Sequence, residues 1–303
     1  MNTLPRFKHR EVNDLCWALY SRAWLFTLSN TGHTTILTGG LGCADRAEDF
    51  TILQEIDDDI DSLRSFLQQN KSWPLGFYFE CLIHYWIEYH PQYDLTLHGY
   101  RIMKGKSMMG ELDFVYWCKR RKQHVHLELA VKFYLGYQKP LEWDHWLGPN
   151  PKDKFSIKIP KMLYRQSTRA KGKYVQKLLK QEGIDSTVSE MLLKGRLYSP
   201  IEDWAKQQLW WPKDTVHDMD VGWWGSCDKV LKWALQYDYD YYVLERKDWL
   251  SEIGEGERTG AYDAQGAIAY LKQHMDKNPV QLTVCKKGVG EISRGFVVPD
   301  TWP

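Results

Sequence analysis

The residues with the clearest chemical potential are Asp113, Glu128 and Lys132. Asp113 is a charge inside the apolar run GELDFVYW, and Glu128 and Lys132 lie inside HVHLELAVKFYL. Side chains alternate faces along a strand, so His126, Glu128, Ala130 and Lys132 share one face. The connection Lys119-Arg120-Arg121-Lys122 is wholly basic and predicts a hairpin turn. A turn centred between Arg120 and Arg121 sets Asp113 directly opposite Glu128, with Cβ atoms about 5 Å apart. Two carboxylates at that separation repel, and a divalent cation with oxygen ligands is the natural occupant. A lysine on the same face could polarise a phosphate or lower the pKa of an attacking water. The competing reading is an amphipathic hairpin with a plain ion-paired face. For either acid alone that reading stands first; the flanking helices reverse the order.

Pro74 suits the opening of a helix over 75–90, LGFYFECLIHYWIEYH. Glu80 on this helix is a candidate third ligand or water-orienting acid, and the alternative is a surface glutamate. His84, one turn on, reads as a packed histidine. Their E-x-x-x-H spacing is not the H-E-x-x-H zinc pattern. Strands are expected at 93–103, 111–118 and 125–135, then a long helix over 156–181 and a strand at 191–198. Lys158, Lys161, Arg165 and Arg169 recur on that helix at steps of three and four. Such a stripe either tracks a phosphate backbone or is a solvated face. Tyr164 and Gln166 fall in its first turns. Asp153 either borders the site or caps the helix.

These segments resemble the PD-(D/E)XK nuclease superfamily, the restriction-endonuclease-like fold. The resemblance rests on G-E-L-D-F-V-Y, a basic turn, H-L-E-L-A-V-K-F, and the preceding helix L-G-x-Y-x-E-x-L. It covers roughly the middle 40% of the chain, in the superfamily's order of helix, three strands, helix, strand. The stretches L-C-W-A-L-Y-S and G-P-N-P-K-D further resemble an uncharacterised bacterial family assigned to this fold. The resemblance implies Mg²⁺- or Mn²⁺-dependent phosphodiester hydrolysis on nucleic acid, with DNA the expected partner. Asp113 would be the central metal ligand, Glu128 the second acid, Lys132 the lysine and Glu80 the helix acid. Lys158, Lys161, Arg165, Gln166 and Arg169 would face substrate. The usual acid-x-Lys spacing is two residues, about 6–7 Å along a strand. Here Glu128 and Lys132 are four apart, and Ala130 stands two before the lysine. Either the acid has migrated, or a bulge shortens the distance, or the site no longer cleaves.

The expected class is α/β: a restriction-endonuclease-like core at 74–200, an N-terminal helical extension at 1–73 and a mixed C-terminal extension at 201–303. A helix is expected over 11–28, a loop or short strand over 31–44, and one long helix over 46–69. The acidic run Glu55, Asp57, Asp58, Asp59, Asp61 lies off that helix's apolar stripe and reads as a solvated face. Ser72-Trp73-Pro74 closes this region. Beyond 200, strands are expected at 240–245, 280–286 and 293–298. The tryptophans there read as core, with base stacking the less favoured role.

The chain carries 40 basic and 39 acidic residues, a net charge of +1, so a nucleic-acid partner must be argued from local patches. The six cysteines show no C-x-x-C spacing, which excludes a zinc ribbon and favours reduced thiols. Leu15 to Phe26 is too short to span a bilayer, and the polar start shows no signal peptide. A cytoplasmic protein is expected. No GxxxxGK[ST] loop supports ATP chemistry. Metal-dependent nuclease is the leading reading. Its rivals are a silent nucleic-acid-binding module on the same fold and a protein-interaction module using the Trp-rich region.

Overall fold

The structure, a computed structural model, describes residues 4–23, 34–68, 74–138, 140–215, 221–254, 260–275 and 278–303. The expected helical residues 24–28 and 69, the loop residues 31–33 and the Ser72-Trp73 step lie outside these.

In chain order the elements begin with α1 (Arg10–Tyr20), β1 (Thr34–Ile36), α2 (Arg46–Asp58), α3 (Asp61–Leu67) and α4 (Leu75–Tyr89). Three long strands follow: β2 (Tyr93–Lys104), β3 (Ser107–Cys118) and β4 (Gln123–Gly136). Then come β5 (Trp146–Leu147), α5 (Phe155–Lys161), α6 (Lys173–Gln181), β6 (Thr187–Pro200) and α7 (Ile201–Trp204). The chain ends with β7 (Val221–Ser226), α8 (Cys227–Ala234), β8 (Asp240–Leu244), α9 (Ala264–His274), β9 (Val280–Lys286) and β10 (Gly290–Val298). The protein is mixed α/β with a large mixed sheet. It folds as two compact units, Met1–Val131 with Ile159–Lys194, and Lys132–Lys158 with Gly195–Pro303.

In the first unit, α1 buries Val12, Leu15, Cys16 and Leu19 at helical spacing. The chain entering α1 is held from α2: Asp57 accepts the N–H groups of Lys8 and His9, each at 2.8 Å. The acidic run is therefore not uniformly solvated. Glu55, Asp58, Asp59 and Asp61 are exposed, but Asp57 is buried beneath the entry to α1. The expected helix 46–69 breaks near Asp59 into α2 and α3, while the stripe Leu53, Ile56, Ile60, Leu63 stays buried. Helix α4 follows Pro74 and buries Phe79, Leu82, Ile83, Trp86 and Ile87.

Strands β2, β3 and β4 form an antiparallel meander, and β1 runs parallel to β6. Phe114 pairs Leu127, Val115 pairs His126 and Tyr116 pairs Val125, the register that a turn centred between Arg120 and Arg121 predicts. Ile102, Leu112 and Val115 pack against Ala170, Val175, Leu179 and Ile184.

The basic turn is anchored rather than merely solvated. Lys119 reaches Asp94 at 2.9 Å, Arg120 reaches Glu48 at 2.7 Å, and Arg121 reaches the buried Glu190 at 2.6 Å. The expected helix 156–181 is also broken. α5 ends at Lys161, a π turn spans Met162–Gln166, a 3₁₀ turn spans Arg169–Lys171, and α6 follows. Pro160 lies inside α5, where it supplies no N–H to the ladder.

In the second unit, β7 runs parallel to β6 and β10, and β9 is antiparallel to β10 and β8. Trp223, Trp233, Val230, Ile268, Leu271, Leu282 and Val284 share its core, as the density of tryptophans predicts. A Cβ on Gly295 would lie 2.1 Å from the Trp223 ring, so only bare backbone fits beneath that indole.

Cys43 and Cys118 are joined as a disulfide, against the expectation of reduced thiols throughout. Cys16, Cys81, Cys227 and Cys285 are free and buried. Among the described residues no helix is long and apolar enough to cross a membrane.

Candidate functional site

Asp113 lies one step beyond the Phe114–Leu127 pair on β3, and Glu128 one step beyond it on β4. The ladder ends at that pair, and the two acids lie just past it, close enough that the Glu128 charge raises the Asp113 carboxyl. The Leu129 N–H donates to Asp113 Oδ2 at 2.8 Å and fixes that carboxylate beside its counterpart. Glu128 is 2% exposed. Burial pushes the Asp113 carboxyl up to about 7; the Glu128 charge adds to this, with smaller contributions from Glu80 and Glu111. The Leu129 N–H opposes the rise because it favours the charged form.

Glu128 is held from three sides. Its Oε1 lies 3.0 Å from His126 Nε2, and its Oε2 accepts from Gln166 Nε2 at 3.4 Å. An Arg169 nitrogen lies 3.8 Å from Oε1. Arg169 also donates to the Glu111 carbonyl, which ties it to the start of the Asp113 strand. Gly110 makes this approach possible: at φ +148° it carries no side chain, and a Cβ would lie 2.7 Å from the guanidinium. Alternation places His126 on the face of Glu128, but residue spacing alone did not assign it a contact. Its ring is fully buried, and its Nδ1 has no hydrogen-bond partner among the described residues.

The remaining expected residues distribute differently. Glu80 Oε1 is bonded to His98 Nε2 at 2.9 Å, and His98 stacks on Phe114 at 4.6 Å. The His84 ring lies 4.1 Å from His98, and its Nε2 pairs with Glu88 at 3.2 Å. Of the basic stripe, Lys158, Lys161 and Arg165 are exposed, whereas Arg169 turns inward. The π turn adds a residue to its turn, so positions that an unbroken helix would align no longer share a face. In the second unit, Lys132 Nζ lies 3.1 Å from Asp153 Oδ2, and Tyr134 donates to Asp153 Oδ1 at 3.1 Å. Asp153 thus serves Lys132 and Tyr134 together.

Among the described residues no three His, Cys, Asp or Glu side chains group to hold a metal ion. The arrangement offers two acids, not three. Their chemistry fits a hard divalent cation in type: both are carboxylates, and their mutual repulsion is what a cation relieves.

The profile of a protein family described as a domain of unknown function (DUF1853) matches residues 13–298. No curated protein and no solved structure matches the chain.

Proposed function

Because the chain belongs to the DUF1853 family, we propose from its own residues that it is a metal-dependent nuclease with a restriction-endonuclease-like core. The observation that carries this reading is the adjacent pair Asp113 and Glu128, where burial and then the Glu128 charge raise the proton affinity of Asp113. The order α4, β2, β3, β4, α5 with α6, then β6 supports the fold. Asp113 and Glu128 would hold Mg²⁺ or Mn²⁺. When bound, the cation supplies positive charge that polarises a phosphodiester and makes water a better nucleophile. The protein's own part is positional. Leu129 N–H aims Asp113, while His126 and Gln166 orient Glu128. Arg169 brings a fixed positive charge beside the acids, where a phosphate would be drawn. DNA is the proposed partner. Lys132 carries the lysine role only by resemblance; its observed partner is Asp153.

The engagement of Glu128 by His126 and Gln166 favours a second reading, a nucleic-acid-binding module that no longer cleaves. One experiment separates them. Labelled single-stranded, duplex and branched DNA is incubated with Mg²⁺, Mn²⁺ or EDTA and either wild type, Asp113→Asn, Glu128→Gln or Lys132→Ala. Metal-dependent cleavage lost in Asp113→Asn and Glu128→Gln supports the nuclease. Equal products from wild type and Asp113→Asn mean a contaminant. Binding without cleavage supports the silent module.

A further inference from the structure

The meander that carries Asp113 continues upstream into a hairpin whose tip is exposed. From Met103 to Met109 every residue is exposed, and Gly105 at φ +61° makes the turn. Met103 faces Met108 and Lys104 faces Ser107, while a register shift after Ile102 leaves Met109 as the extra residue of a bulge. Three large thioethers at an exposed tip are unusual, since such side chains normally find a core. Met103, Met108 and Met109 are 41%, 54% and 59% exposed.

The charged residues of the tip itself, Lys104 and Lys106, share one sign. Lys104 and Lys106 make no ion pair with a described residue, and neither does Lys173 of α6, which is also exposed. Tyr174, next in that helix, donates to the Met103 carbonyl at 2.5 Å and so fixes the tip against α6. The nearest acid along the hairpin, Glu111, lies 3.6 Å from Arg101, so its charge is matched. The tip therefore combines unmatched lysines with flexible apolar side chains on a two-stranded ribbon.

We propose that the β2–β3 hairpin tip is a docking wing for duplex nucleic acid. Resting on the nuclease reading, it would guide that substrate toward Asp113. A two-stranded ribbon fits a nucleic-acid groove. Lys104, Lys106 and Lys173 neutralise phosphates on either side of it. Met103, Met108 and Met109 supply the apolar surface that wedges against base steps. Arg169, packed on Gly110 and bonded to the Glu111 carbonyl, links the base of this wing to Glu128.

The test measures binding in EDTA, so that it does not depend on cleavage. Fluorescence anisotropy of a labelled random-sequence duplex is recorded across salt concentrations. The proteins are wild type, Lys104→Ala/Lys106→Ala, and Met108→Ser/Met109→Ser, each checked for unchanged circular dichroism. The lysine variant is expected to weaken binding and to lower the salt slope by about 2, near one unit for each phosphate no longer neutralised. The methionine variant is expected to weaken binding several-fold with the slope unchanged. Wild-type affinity and slope in both variants overturns the wing, as does absence of duplex binding by wild type at low salt. Binding to anionic vesicles instead of duplex also overturns it. A wing-dependent affinity without metal-dependent cleavage leaves the wing standing and removes only the nuclease reading.

Discussion

The Leu129 N–H donates to Asp113 Oδ2 at 2.8 Å, so the residue after Glu128 holds the very carboxylate that the Glu128 charge acts on. One backbone bond thus locks two like charges together. Burial, then repulsion from Glu128, raises Asp113 to about 7, and the backbone bond offsets only part of the rise. On the proposed reading, a bound cation would take the place of that proton.

Stability should record that poise. A carboxyl raised in the folded state favours folding below its unfolded pKa. That contribution is lost as pH rises from about 4 through about 7. Asp113→Asn cannot ionise but can still accept from Leu129. It should match wild type near pH 4 and exceed it at pH 8 by on the order of 4 kcal/mol. Urea melts at both pH values check this, and equal midpoints for both proteins at pH 8 contradict it.

Arg169 and Gly110 should be energetically coupled. Gly110→Ala forces a Cβ into the guanidinium at an unfavourable φ. Arg169→Ala removes the donor to the Glu111 carbonyl. Each should destabilise by about 1–3 kcal/mol. In the Arg169→Ala background the added methyl has room, so the two costs should not add. Additive chemical-denaturation values would show that the close approach is not what Gly110 serves.

How much of this was legible in the sequence depends on how local each signal was. The hairpin register was legible because four consecutive basic residues mark a turn and alternation does the rest. The tryptophan core was legible from density alone. The break in the expected helix 156–181 was not, because the apolar and basic steps read the same on either side of a π turn. Arg169 was therefore counted with an exposed stripe, while the fold turns it toward Glu128. Asp57 looked like part of a solvated acidic run, because its partners are backbone N–H groups 48 and 49 residues away. The bond between Glu80 and His98 is similarly non-local and leaves two acids, not three, at the ladder.

Lys194 offers an independent check on the first unit. It is fully buried, donates to the Ser21 carbonyl at 2.5 Å, and is lowered to about 7 by burial. The unfolded chain binds this proton more tightly, so its contribution to stability should rise with pH from about 7 until the unfolded lysine titrates near 10.4. Lys194→Met should flatten that part of the profile. An unchanged slope between pH 7 and 10 would argue that the ammonium is solvated.

The second unit rests on Trp223 lying over Gly295. Gly295→Ala should overpack this contact and destabilise by about 1–3 kcal/mol. Thermal melts read this directly, and a melting temperature equal to wild type would show that the indole can move aside.

The claim that Asp113 and Glu128 hold a divalent cation is tested most directly by titrating Mn²⁺ into wild type, Asp113→Asn and Glu128→Gln by calorimetry. The titrations are run at pH 7 in two buffers of different ionisation enthalpy. Wild type should show a single site that releases a fraction of a proton on binding, because Asp113 is partly protonated there. Both variants should lose this site. Binding of equal strength in all three proteins, or no binding in wild type, would contradict it.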